Sequence, residues 1–204
     1  TFSGAGTKTT ASGTLSIAEN WSVGSAVAMN TNNSSATITG NVSGTGVITV
    51  GNNDILVSGD WTNTGGTTGG TGTLTLNGST PTIAGTTFNN LTFNNSTGAT
   101  ASGSITVNGT LTLTNGIFSI GTTTLVLNGT VSSISGVLSS SSTGTVNYNQ
   151  SSNGQNVLAA NYGNLTFSNF NKTLASSGLI VIEGTFTTGT ATGHTIAGST
   201  IEYN

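Results

Sequence analysis

Apolar residues alternate along this chain with Thr, Ser and Asn, as in Leu74-Thr75-Leu76, Ile105-Thr106-Val107 and Leu111-Thr112-Leu113. A period of two places one set of side chains inward and the other in water, which predicts β-strands. Val, Ile, Thr and Phe are also the residues that fit a pleated surface. The runs are short, and Gly or Asn ends them. Asn77-Gly78, Asn108-Gly109, Asn115-Gly116, Asn128-Gly129 and Asn153-Gly154 each predict a tight corner, because these residues tolerate positive φ. No 3.6-residue period is present, and Gly, Thr, Ser and Asn are weak helix formers, so no helix is predicted.

A longer self-similarity overlies the alternation. Phe88–Phe93 (Phe-Asn-Asn-Leu-Thr-Phe) matches Tyr162–Phe167 (Tyr-Gly-Asn-Leu-Thr-Phe), about 74 residues on. Gly72–Asn77 matches Gly144–Asn149, and Gly103–Thr110 matches Gly178–Thr185. Near the start, Thr10–Ile17 resembles Thr100–Val107. The opening Thr1-Phe2-Ser3-Gly4 reads like the tail of an Asn-Leu-Thr-Phe segment, and the closing Ser199–Asn204 like the start of a new unit. Such ends suit either a window of a longer repeat array or subunits that stack end to end.

Short strands, Gly/Asn corners and no helices leave a β-solenoid or a pair of β-sandwich domains. The shortness of the strands and the absence of a dividing linker favour the solenoid, as one continuous repeat region over residues 1–204. With about 20 residues per coil there would be about ten coils, and at ~4.8 Å per stacked strand a rod of about 50 Å. The glycine-rich Gly65–Gly72 is expected to form a loop at a repeat boundary.

This all-β, parallel solenoid accounts for the composition. The chain has two basic and five acidic residues among 204, or 3% charged, where ordinary domains carry about 25%. Like charges stacked from coil to coil repel, whereas stacked Asn, Thr and Ser form hydrogen-bonded ladders. Disordered chains combine low hydrophobicity with high net charge. This one is 33% hydrophobic with a formal charge of -3, so it is read as folded. Cys is absent, which excludes a disulfide framework and thiolate metal sites. Two basic residues cannot neutralise a phosphate backbone, so no nucleic-acid partner is expected. No run reaches the roughly 20 apolar residues of a membrane-spanning helix.

The segments Asn90-Leu91-Thr92-Phe93, Gly103–Leu113 (Gly-Ser-Ile-Thr-Val-Asn-Gly-Thr-Leu-Thr-Leu) and Asn164-Leu165-Thr166-Phe167 resemble repeats of large secreted bacterial surface proteins. Those are β-helical and adhesin-like. The resemblance covers most of the chain and implies an extracellular rod serving as stalk, fibre or adhesin. It carries over no catalytic residue, cofactor or metal.

Candidate chemistry is sparse. Gly69-Gly70-Thr71-Gly72-Thr73 approaches the calcium-binding G-G-x-G-x-D repeat, but Leu74 stands where Asp should be. Asp54 and Asp60 are the closest acid pair and are expected to be turn residues flanking a strand rather than a glycosidase pair. His194 is the only histidine and is assigned to a surface or turn. Trp21 and Trp61 could stack on sugars, though packing is the expected role. Asn-x-Ser/Thr acceptors such as Asn20, Asn90 and Asn164 follow from composition. Flat Thr arrays on a solenoid face can order water. The best local candidates are Thr122-Thr123-Thr124 and Thr7-Lys8-Thr9-Thr10, although no Thr-x-Thr register repeats at every coil. The expectation is a non-enzymatic, secreted or cell-surface structural solenoid without catalytic, cofactor or metal residues. It would self-associate head to tail, with surface glycans as a further partner. An adhesin or ice-binding module is the alternative.

Overall fold

A computed structural model describes residues 4, 6–9, 13–25, 27–30, 34–68, 70–196 and 198–204. The opening Thr1–Ser3 and residues 10–12, on which part of the repeat reading falls, lie outside them. The described residues form 28 strands of two to five residues and no helix. All the pairings between them are parallel. The chain winds as a β-solenoid of about nine turns.

Each turn contributes a strand, or at Trp61 and Thr195 a single bridge, to each of three faces. Face I runs from Gly6–Thr9 through Ile105–Val107 and Thr124–Leu127 to Phe186–Thr187, as abutting sheets of four and six strands. Face II is a seven-stranded sheet from Leu15–Ile17 to Val131–Ser133, followed by the separate pair Gln155–Val157 and Lys172–Leu174. Face III starts at Trp21–Val23 and Val42–Gly44, continues through Trp61, which bridges Val42 and Ile83, and ends in seven strands reaching Thr200–Tyr203.

The alternation read in the sequence sets the inside and the outside. On face II, Leu74, Leu91, Leu111 and Val131 stand over one another and are buried, as are Leu76, Phe93 and Leu113. On face I the columns are Phe88, Val107, Leu127, Tyr148 and Phe167, and beside them Ile105, Leu125, Val146 and Leu165. Each such side chain contributes roughly 1.5–3 kcal/mol by burial, and the columns join into one core. Aromatic rings fill the wide places. Phe93 stacks on Phe118 at 4.0 Å, and Trp61 meets the edge of Phe88 at 5.8 Å.

Paired residues in successive coils are separated by as few as 17 positions (Leu74 to Leu91) and as many as 22 (Ser139 to Asn161). The corners absorb this variation. Gly44 makes one of them at φ +110°, over the Val23 carbonyl, which accepts from both Thr45 and Gly46 N–H at 3.1 Å. A Cβ at Gly44 would lie 2.0 Å from that oxygen, so only glycine fits.

The structure departs from the sequence reading in two ways. The Gly65–Gly72 stretch is not only a loop: Thr67–Thr68 is a strand of face I whose register sets Ile48 opposite Thr67. The 74-residue repeat is also out of phase with the coil. Asn90–Asn94 lies on face II, yet its copy Asn164–Phe167, eleven strands later, lies on face I. Thr73–Leu76 (face II) and Thr145–Tyr148 (face I) keep the same spacing, as do Ile105–Val107 (face I) and Leu179–Ile182 (face III). Eleven strands are three full coils and two-thirds of another.

Candidate functional site

The outward side of face II presents a continuous column of stacked positions. Its middle column is Ser16, Thr37, Leu56, Thr75, Thr92, Thr112 and Ser132, seven positions in unbroken register. Six of them carry a hydroxyl. Among the described residues, the hydroxyls of Thr37, Thr75 and Thr92 make no hydrogen bond within the protein, whereas Ser132 Oγ lies 3.4 Å from Thr112 Oγ1. The flanking positions are polar as well. Thr73 stands opposite Asn90, and the Thr110 and Thr130 hydroxyls meet at 2.8 Å. On the other side Ser58 donates to Asn77 Oδ1 at 3.0 Å.

Side-chain amides at the corners bind one coil to the next. Asn149 donates to Asn128 Oδ1 at 2.9 Å, and Asn128 to Asn108 Oδ1 at 2.8 Å. Elsewhere an Asn or Asp oxygen takes a backbone N–H of the following coil. Asn20 accepts from Asn41, and Asn41 from Asp60, each at 2.8 Å. Asn90 accepts from Thr110 at 2.7 Å and Asn164 from Thr185 at 2.8 Å. Strand carbonyls and amides at a corner would otherwise be unpaired, so these residues occupy positions where the fold needs an acceptor.

Asp54 and Asp60, expected to be turn acids, share this task. Asp54 Oδ1 accepts from Thr73 N–H at 2.9 Å and Asp60 Oδ1 from Thr82 N–H at 2.8 Å. They flank the strand Ile55–Val57 as turn acids. Trp21 and Trp61 are core residues, 1% and 0% exposed, and Trp61 Nε1 donates to the Asn63 carbonyl at 3.0 Å. Leu74 is an inward core residue; Gly69, which precedes it in the calcium-like motif, lies outside the described residues. Among the described residues no three His, Asp or Glu side chains converge. Thr123 is held in a turn by its bond to the Ile120 carbonyl at 2.7 Å, and Thr7 and Thr9 lie on the first strand of face I. Thr10 lies outside the described residues.

Sequence reasoning missed a buried polar group. Lys172 points inward and is fully buried, opposite Gln155. Its Nζ donates to Ser168 Oγ at 2.7 Å, and Ser168 Oγ donates to the Gln150 carbonyl at 3.0 Å. Burial holds the amine below the usual lysine value. His194 is half-buried rather than simply at the surface. Its Nδ1 accepts the Lys172 backbone N–H at 3.0 Å, and its ring meets the edge of Phe167. Nothing in the local pattern Asn171-Lys172-Thr173 marks the lysine as inward except its parity with Leu174.

Lys172 lies near the one break in face II. The coil after Val131–Ser133 carries an additional exposed stretch, Ser151–Gly154, and Gln155–Val157 pairs only with the coil after it. Gln155 covers the gap by donating from Nε2 to the Leu127 and Gly129 carbonyls at 2.8 and 2.7 Å. Beneath it Tyr148 and Tyr162 share a 2.8 Å hydrogen bond. The Leu158 N–H donates to Tyr148, and Tyr162 donates to the Leu158 carbonyl. Burial pushes Tyr148 up to about 12 and raises Tyr162 well above the ordinary phenol. A cleft of about 520 Å³ opens beside this break, lined by Val131, Ser133, Leu138, Val157, Leu174 and Ser176 among others. It contains no ionisable side chain.

The class that fold and surface define is a three-faced parallel β-solenoid with neutral polar sides. No family model matches the chain, and no curated protein or solved structure does.

Proposed function

We propose that this chain is a structural segment of an extracellular, cell-surface fibre, in which solenoid coils stack end to end. The observation that supports this most is the last coil. Ile201 stands over Ile180 and Tyr203 over Ile182 in the inward columns of face III, and Ile196 follows Thr195, which bridges to Thr173 on face II. Ile196, Ile201 and Tyr203 are 68%, 45% and 64% exposed. These side chains continue the inward columns of the coils before them. A coil of another copy stacked there would bury them and pair the edge of Thr200–Tyr203. Full burial of each contributes on the order of 2 kcal/mol.

Light scattering of the 204-residue chain over a range of concentrations tests the proposal. Mass is expected to rise with concentration, electron micrographs to show rods one solenoid wide, and Ile201→Lys to return the chain to monomers. A chain that stays monomeric at high concentration would overturn it.

A further inference from the structure

We propose that the outward face of the seven-stranded sheet, centred on Thr37, Thr75, Thr92 and Thr112, binds ordered water at the surface of ice. Strands in a sheet stand about 4.8 Å apart, which sets the spacing of Thr75 and Thr92 in adjacent coils. Their hydroxyls make no bond to each other, whereas at the end of the column Ser132 Oγ reaches Thr112 Oγ1 at 3.4 Å. Water oxygens hydrogen-bonded at about 2.8 Å in a tetrahedral arrangement have second neighbours at about 4.6 Å. Two hydroxyls in adjacent coils are therefore placed like second-neighbour oxygens of the lattice, with room for one shared water between them.

Three further features favour this occupant. The hydroxyls of Thr37, Thr75 and Thr92 are uncommitted within the protein, so they are available to the lattice. Threonine is stiff at χ1, which keeps its hydroxyl and methyl in place. The face is also almost free of charge. Asp54 is its only charged residue among the strands from Ala36–Ile38 to Val131–Ser133 and their flanking positions, and it is engaged with Thr73 N–H.

The other faces are less suited. On face I the corresponding column is interrupted by Val126 and Asn147 between Thr106 and Thr166. Face III carries exposed Ile117, Val137 and Leu179 beside its polar positions. The Thr column of face II is also not a by-product of the sequence repeat, which carries Thr92 onto face I as Thr166. Leu56 is the single gap within the column.

The test is adsorption of the fluorescently labelled chain to a growing ice crystal, together with inhibition of ice recrystallisation. The folded chain is expected to be taken into the ice. Thr92→Tyr, which raises a ring above the column, lowers uptake severalfold. Thr100→Tyr on face III leaves it unchanged, and Leu56→Thr, which fills the gap, raises it. Circular dichroism confirms that each variant keeps its sheet content. Exclusion of the wild-type chain from ice overturns the proposal, as does an equal loss in Thr92→Tyr and Thr100→Tyr. Light scattering reads the end-to-end association separately, so failure here leaves the fibre reading standing.

Discussion

Placing lysines at Thr75, Thr92 and Thr112 tests why this protein carries so little charge. The three residues are consecutive rungs of one outward column on face II. Taken singly, a Thr→Lys change at such a surface position costs at most about 0.5 kcal/mol. Taken together, the new ammonium groups repel. Two unit charges at the ~4.8 Å strand spacing interact by about 0.9 kcal/mol in bulk water and about 3.5 kcal/mol at an effective dielectric of 20. Lysine stems splay, so the lower figure governs, and two adjacent pairs lose about 2 kcal/mol beyond the sum of the single variants. Urea denaturation reads this loss without adding ions. In 1 M salt the Debye length falls to about 3 Å, and most of the loss returns. The variant Thr75→Lys/Thr92→Glu/Thr112→Lys has the same number of charges and alternating sign, and it keeps wild-type stability or exceeds it. If the triple lysine variant equals the sum of its parts within about 0.5 kcal/mol and ignores salt, charge repulsion between stacked coils is not what shaped the composition.

Other outcomes follow from the buried groups and corners. Tyr148 and Tyr162 have raised values in the folded state, so their contribution is complete below pH 10 and is lost as pH climbs towards about 12. Thermal melts should show a steep alkaline decline, flattened in Tyr148→Phe/Tyr162→Phe. The folded value of Lys172 lies below the ordinary 10.5, so the unfolded chain holds that proton more tightly. Stability therefore rises as pH increases through the folded value towards 10.5, and Lys172→Met, followed by urea midpoints across that window, removes the rise. Gly44→Ala drives a methyl into the Val23 carbonyl at a positive φ, and is expected to cost about 3 kcal/mol in the same assay. Asn128→Ala breaks two ladder bonds at once and should lose about 1–2 kcal/mol, against almost nothing for the exposed Thr122→Ala.

The features legible in the sequence were those with a short period. Alternation at Leu74–Leu76 and Leu111–Leu113 predicted which residues face the core, and Asn128-Gly129 predicted a corner. Neutral ladders were inferable because charge was missing. Coil-to-coil register was not legible, since pairing separations vary from 17 to 22 residues while no single residue type marks the start of a coil. For that reason the Thr column of face II stayed hidden: Thr37, Thr75, Thr92 and Thr112 are unevenly spaced along the chain and align only after folding. Lys172 was hidden for a different reason. Its type argues for the surface and its parity for the core, and packing beside Gln155 decided for the core.

The mismatch between an eleven-strand repeat and a three-strand coil acts as a built-in screw. Each copy of a unit lands about 18 Å further along the axis and two-thirds of a revolution around it. Were units in phase with the coil, any tacky residue would recur along one line, and neighbouring rods could zip together sideways. Out of phase, the same residue spirals, returning to its starting azimuth only at every third copy. Elongation by duplicating this unit therefore lengthens a solenoid without giving it a sticky seam.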